Sequence, residues 1–371
     1  MRIVIAGGGT GGHTSPGLAV AACLRERGVE VHWIGSRQGI EARRVPEAGL
    51  PLHTIPVGKL RRYWDWQNVP DLALRAPAGL ARSWRLLRRL KPSLVFATGG
   101  FVALPPALAA RALGIALVVH EQTSVPGLAN RVAGRFARRI ALTFPMTGNE
   151  FPRERTVLTG NPLRPELRGG SRAEACRRFE LDPALPIVYV TGGAQGSHRL
   201  NRDVGAVLPK LLESCQIIHQ CGDSKSTGDR AWLGERARAL PEPLRRRYAL
   251  QPYVGDELRD VYAAAALVIG RSGAGTVNEC CQLGLPALYV PLPGTSGDEQ
   301  TANARLVEAA GGALVFPQVS LTPAGLVEIL TRLLADPPAL RAMGERARSL
   351  AQPDAAERIV RVLLEVAGAS R

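Results

Sequence analysis

Short runs of branched and apolar residues recur along the chain, at 3–6, 31–34, 94–97, 116–119, 187–190, 216–220, 267–269 and 287–290. Each is short enough for a strand, and the stretches between them are rich in Ala, Leu and Arg with a helical pattern. Strands alternating with helices predict parallel sheets joined by right-handed crossovers, an α/β architecture. The pattern also repeats. Ile3 opens IVIAGGGTGGHTSPGLAVAACLRERG and Ile187 opens IVYVTGGAQGSHRLNRDVGAVLPKLLE, each a strand, a glycine turn and a helix. Two such units half a chain apart predict two Rossmann-like domains, with GNPLRP at 160–165 as the linker. Ligands of such sheets bind at the carboxyl ends of the strands, so two facing domains predict a cleft there. The last helix, near 354–366, is amphipathic, and its pattern alone does not say which domain it packs on.

The turns carry the candidate chemistry. Gly7, Gly9 and Gly12 fit G-x-G-x-x-G between a strand and a helix, a spacing that lets backbone amides and a helix N-terminus approach a diphosphate. A dinucleotide site also needs a carboxylate closing the second strand, and here that strand ends at Ile34-Gly35-Ser36, which argues against NAD or FAD. His13 stands at the start of the helix beside exposed amides, placed to take a proton or merely to hydrogen-bond in a solvated loop. A second glycine turn runs from Gly192 to Ser197 and a third from Gly270 to Thr276. Glu279, one helical turn after Thr276, can accept hydrogen bonds from two ribose hydroxyls or complement its helix dipole. Gln300, opening another helix, can read a sugar hydroxyl.

Length and charge narrow the class. At 371 residues the chain has room for two cores. Its 47 Lys and Arg against 32 Asp and Glu give a net charge of +15, which favours an anionic partner: nucleic acid, anionic lipid or a phosphorylated substrate. No helix-turn-helix or RNP-like segment stands out, so no nucleic-acid partner is expected. The six cysteines form no C-x-x-C pair and suit a reducing compartment. No D-x-D pair offers a metal site, so neither metal nor cofactor is expected. The first strand begins too early for a signal peptide, and no apolar run reaches the roughly 20 residues of a membrane span. The stretch with Tyr63, Trp64 and Trp66 among cations, and the basic amphipathic stretch 82–91, suit the surface of an anionic membrane.

Eight motifs in order carry a resemblance: GGGTGGH at 7–13, TGG at 98–100, HEQ at 120–122, PGLANR at 126–131, GNPLR at 160–164, GGAQG at 192–196, RSGAGTVNE at 271–279 and Q-x-x-NA at 300–304. With this order and spacing the chain resembles the MurG family. The resemblance implies a GT-B fold, two Rossmann-like domains whose parallel sheets face each other across a cleft. It implies an acceptor and membrane-facing domain over 1–163, a UDP-GlcNAc-binding domain over 164–350, and a terminal helix, 351–371, packed back on the first domain. The implied reaction is an inverting transfer of GlcNAc from UDP-GlcNAc to the 4-hydroxyl of MurNAc in lipid I, giving lipid II at the cytoplasmic face of the membrane by a peripheral protein. Another GT-B enzyme acting on a UDP-sugar, a glycolipid transferase or an epimerase, is the alternative.

The same resemblance implies His13 as catalytic base, with Glu121 as second choice. It places Thr10, Gly11, Gly12, Thr123, Arg164, Ala194, Val254, Thr276, Glu279 and Gln300 at the donor, and Gly9, Gly99, Gly100 and Phe101 at the acceptor. Tyr63, Trp64 and Trp66 would meet the membrane. The chain departs from the family's usual residues at Phe101, Thr123, Ala194, Gly275 and Glu299. Ser197 is a candidate to replace the hydroxyl missing at Ala194.

Overall fold

The computed structural model describes residues 1–58, 75–223 and 226–369. The chain divides into two compact units: Met1–Arg164 with Gln352–Arg371, and Pro165–Ala351. The first holds a sheet of β1 (Arg2–Gly7), β2 (Glu30–Gly35), β3 (Leu52–Thr54), β4 (Leu94–Gly99), β5 (Ala116–Glu121), β6 (Arg139–Leu142) and β7 (Thr156–Leu158), in the order β3-β2-β1-β4-β5-β6-β7. The second holds β8 (Ile187–Thr191), β9 (Gln216–Gln220), β10 (Tyr248–Gln251), β11 (Ala265–Gly270), β12 (Ala287–Tyr289) and β13 (Ala313–Val315), in the order β10-β9-β8-β11-β12-β13. All the described pairings are parallel. Each unit thus has the doubly wound order that reverses beside its first strand.

Strand β1 shows why these segments read as continuous apolar runs. Ile3 and Ile5 belong to the core on one face of the sheet, Val4 and Ala6 to the core on the other, and all four are fully buried. Helices cover both faces, so after the half-buried Arg2 no position in the strand faces water. The strands absent from the sequence expectation are β3, β6, β7, β10 and β13, three or four residues each. They lie at or next to sheet edges, where polar residues such as His53 and Gln251 interrupt the apolar pattern.

Two packing features fix the first unit. Helix Gly11–Glu26 lies so close to the sheet that a Cβ on Gly17 would stand 2.5 Å from the Trp33 ring, while the Trp33 indole donates to the Gly7 carbonyl at 2.9 Å. The final helix, Ala355–Gly368, buries Ala355, Ile359, Val362, Leu363 and Val366 at three- and four-residue spacing. Ile359, Val362, Leu363 and Val366 join the cluster of Ile3, Ile5 and Trp33, so this helix completes the core of the first unit. In the second unit Val188, Val190, Leu200, Leu326 and Leu330 share one core.

Each unit also buries a histidine. His120 donates from Nε2 to the Gly160 carbonyl (3.1 Å) and accepts at Nδ1 from Gln122 (3.1 Å). His219 lies between the Tyr248 hydroxyl (2.9 Å) and Asn201 Oδ1 (3.0 Å). Burial pushes their pKa values down, to about 4 for His120 and about 3 for His219. The unfolded chain binds both protons near pH 6.5 and the folded chain refuses them, so stability rises with pH across that interval. The unfolding free energy should therefore be level above pH 7 and fall as pH drops from about 6.5 toward 4, by at most about 1.4 kcal/mol per pH unit for each histidine, and the melting temperature should fall with it. Calorimetry between pH 7.5 and 5, above the carboxylate range, checks this; a flat profile there contradicts it.

Candidate active site

The turns predicted to carry chemistry all leave the carboxyl ends of central strands. In the first unit, residues 8–10 follow β1, Gly100 follows β4, and Gln122 follows β5. His13 occupies the first turn of helix Gly11–Glu26 and its ring lies against the backbone of Gly99 and Gly100. A Cβ on Gly99 would stand 2.8 Å from His13 Nδ1, and Gly99 and Gly100 have φ of +100° and +76°. A Cβ on Gly100 would stand 2.6 Å from the Gly8 carbonyl oxygen, so glycine is needed at both positions for conformation and for space.

The His13 ring has a defined proton. Its Nδ1 is 3.1 Å from the Thr98 carbonyl and 3.1 Å from Gln122 Oε1. A carbonyl can only accept, so Nδ1 carries the hydrogen and the unprotonated nitrogen is Nε2. Among the described residues none hydrogen-bonds to Nε2.

Glu121 is differently employed. It is 1 % exposed, and its carboxylate accepts from the Thr123 amide (3.1 Å), the Gly127 amide (3.2 Å) and Asn130 Nδ2 (2.9 Å). The Thr123 hydroxyl lies 2.8 Å from Glu121 Oε1 and 2.6 Å from the Val125 carbonyl. Glu121 ties down the loop after β5, and Thr123 is buried within that loop. A carboxylate committed in this way is a poor general base, and the Thr123 hydroxyl is spent inside the loop.

A second buried carboxylate organises the first glycine turn. Glu41 accepts from the Gly9 amide (2.7 Å), the Ser36 amide (2.9 Å) and the Ser36 hydroxyl (2.6 Å). The acid missing from the end of β2 is therefore present six residues later, holding an amide that a dinucleotide phosphate would otherwise meet. Beyond it Thr10 is exposed, Gly11 and Gly12 are half-buried, and Phe101 is exposed in the turn after β4.

In the second unit the turns gather at the ends of β8, β9, β10 and β11. Ala194 is exposed at the tip of the turn after β8. Ser197 is not a substitute for a missing hydroxyl there: it is buried, and its Oγ caps helix His198–Ala206 by accepting from the Leu200 amide. Gln220, which ends β9, ties the turns together. Its Nε2 donates to Thr191 Oγ1 (3.2 Å) and the Gly193 carbonyl (2.9 Å), and its Oε1 accepts from the Val254 amide (2.9 Å) and the Tyr189 hydroxyl (3.3 Å). Val254 is buried with its N–H committed, so only its carbonyl is left to offer a ligand.

Thr276 and Glu279 lie half-buried on helix Ala274–Leu283, which follows β11. The buried Tyr262 donates to Glu279 Oε2 at 2.8 Å and so fixes that carboxylate. Burial, with the Glu279 carboxylate adding to it, raises the Tyr262 pKa far above that of an ordinary phenol and keeps it a donor. The Gln300 side-chain oxygen accepts from the Leu292 amide (3.0 Å), which leaves its amide nitrogen for a ligand. Arg164 ends the first unit, half-buried. Tyr63, Trp64 and Trp66 lie outside the described residues.

Sequence reasoning assigned no role to Glu41, Gln122, Gln220 or Tyr262. The signal for the two glutamines was in the strands: each stands at the carboxyl end of a buried β-run, in VVHEQ and QIIHQ.

The glycosyltransferase family 28 N-terminal domain matches residues 3–142, and the glycosyltransferase family 28 C-terminal domain matches residues 187–359. The UDP-N-acetylglucosamine–N-acetylmuramyl-(pentapeptide) pyrophosphoryl-undecaprenol N-acetylglucosamine transferase of Nocardioides sp. is 42 % identical, over 99 % of this chain and 98 % of the relative. The protein of the same name from Methylococcus capsulatus is 41 % identical, over 99 % of each. Among solved structures, MurG of Acinetobacter baumannii superposes with a TM-score of 0.73 at 29 % identity, covering 98 % of this chain and 99 % of that one. With two doubly wound units of the GT-B class and near-complete coverage by such relatives, this chain belongs to the MurG family of glycosyltransferases.

Proposed function

We propose that the chain transfers N-acetylglucosamine from UDP-GlcNAc to the 4-hydroxyl of MurNAc in lipid I, giving lipid II. The observation that carries this reading is His13, held by Nδ1 with Nε2 open beside a glycine turn. The names of the relatives supply the substrates. Single displacement with inversion needs one base and a stabilised leaving group. Nε2 of His13 takes the hydroxyl proton as the oxygen bonds to the anomeric carbon and the bond to UDP breaks. Amides of the turn after β8 and the Arg164 cation offset the charge on the leaving diphosphate. Glu279 accepts from the ribose hydroxyls, the Val254 carbonyl meets the uracil, and the Gln300 amide donates to the sugar. Thr10, Gly11 and Gly12 meet the donor sugar, while Gly9, its amide held by Glu41, lines the acceptor side with Gly99, Gly100 and Phe101. The first unit takes the lipid-linked acceptor and the second takes the nucleotide sugar.

The acceptor is anchored in a bilayer, and no described helix is long and apolar enough to cross one. Helix Ala76–Leu90 supports docking of the first unit on an anionic leaflet. It buries Gly79, Ser83, Leu87 and Leu90, while Arg82, Trp84, Arg85, Arg88 and Arg89 are exposed. The Arg88 guanidinium lies 4.7 Å from the Trp84 ring centroid, so the outward face combines cations with an interfacial aromatic. The reading places the protein on the cytoplasmic face, where it works with Tyr63, Trp64 and Trp66.

Transfer of labelled GlcNAc to a short-chain lipid I analogue, with UDP release followed in parallel, tests the reaction; donor binding without transfer would refute it. In that assay His13→Ala should lower kcat by about 10²–10⁴-fold with the donor KM little changed, and full activity would remove the base assignment. Glu279→Gln should raise the KM for UDP-GlcNAc roughly tenfold or more, the loss of about 1.5–3 kcal/mol expected for hydrogen bonds to a charged group. An unchanged KM would place the ribose elsewhere. Liposomes rich in anionic lipid should float with the wild-type protein and much less with the Trp64→Ala/Trp66→Ala/Trp84→Ala variant; equal flotation rules out these aromatics as the anchor.

A further inference from the structure

The hydrogen bonds of His13 continue beyond it. Gln122 is 1 % exposed, and its Nε2 donates to the Thr98 carbonyl at 2.6 Å and to His120 Nδ1 at 3.1 Å. His120, fully buried, passes its own Nε2 hydrogen to the Gly160 carbonyl. The direction of this chain is not arbitrary. The Thr98 carbonyl can only accept, so the nitrogen of the Gln122 amide must face it, and the amide oxygen must then face His13 Nδ1. A flipped amide would set two oxygens against each other and two donors against each other. Burial keeps His120 neutral, so its Nδ1 is a lone pair and can only accept from Gln122. Each proton in the series is therefore assigned by the next acceptor, from His13 to Gly160.

We infer that Gln122 is a positioning residue that, with the Thr98 carbonyl, holds His13 in the Nδ1–H tautomer so that Nε2 is the nitrogen that takes the proton. The inference rests on the base reading of His13 for its consequence in catalysis, but the tautomer itself is independent of activity. The catalytic His–carboxylate pair achieves the same orientation with a charge. Here a neutral amide does so, and His120 behind it prevents that amide from rotating. The reason is in the surroundings: an unpaired carboxylate at this fully buried position would meet the Thr98 carbonyl and a neutral imidazole with no cation to offset it, an arrangement of high cost. Apart from a wrong tautomer, a ring displaced by about 1 Å is enough to cost roughly 100-fold in rate.

The test uses the full chain with ring-¹⁵N histidine, His13 being assigned from the spectrum of His13→Gln. Wild-type protein should show Nδ1 protonated and Nε2 as the unprotonated nitrogen in the neutral ring. Gln122→Met should introduce the Nε2–H tautomer and lower kcat about 10- to 100-fold, with the KM for UDP-GlcNAc within about twofold. Gln122→Glu, whose buried carboxyl takes up a proton and so keeps a donor toward the Thr98 carbonyl and an acceptor toward Nδ1, should retain the Nδ1–H tautomer and recover most of the lost kcat. The inference is overturned by a wild-type His13 protonated at Nε2. It is equally overturned if Gln122→Met keeps the wild-type tautomer, whatever its rate, or if Gln122→Glu is as impaired as Gln122→Met. Should the methionine variant fail to fold, the wild-type and Gln122→Glu spectra still decide. A fully active His13→Ala with the expected tautomers would instead remove the base reading and leave the positioning role standing.

Discussion

Parallel pairing throughout both described sheets is the constraint on which the rest depends. A parallel sheet with helices on both faces has no wet surface along its strands, so residues such as Ile3, Val4, Ile5 and Ala6 are all core. Every strand runs the same way, so every turn that leads into a helix lies at one edge. There helix N-termini and glycine-turn amides are collected without any cost to the core. His13, Gln122, Gln220 and Glu279 all belong to that edge in their respective units.

Neutral amides, rather than ion pairs, connect these groups. Gln220 uses both hydrogens and both lone pairs of its amide, and so joins the turn at Gly193 to the turn at Val254. Gln122 joins the ends of β4 and β5 to His13. An unmet buried donor or acceptor costs about 1–3 kcal/mol, so a glutamine at such a place fixes its neighbours strongly only when every partner is present. The carboxylates Glu41 and Glu121 have the same function with backbone amides as donors. Each is buried, and each clamps one loop beside the site.

The departures from the family's usual residues become intelligible in this setting. At Thr123 both the backbone amide and the hydroxyl are used within the loop that Glu121 holds. Ala194 stands at an exposed turn tip. Ser197 caps the next helix and is not free to compensate. None of these departures falls on His13 or Glu279.

The sequence by itself determined the two strand–turn–helix repeats, the three glycine turns, the presence of a histidine at the first of them and the family. These are local properties: composition over a few residues dictates strand, turn or helix, and motif order supplies the rest. Only the tertiary structure decided what each polar group is bonded to. His13 and Gln122 are 109 residues apart, Gly9 and Glu41 are 32 apart, and Val254 and Gln220 are 34 apart. No local pattern encodes such a pair. Glu121 was legible as a carboxylate beside the site but not as one already saturated by backbone amides. The terminal helix was legible as amphipathic, yet which core it completes depended on the apolar face that the first sheet leaves uncovered. A strand's amino acids fix its own conformation; the hydrogen-bond partners at its end are set by which strands the fold lays beside it.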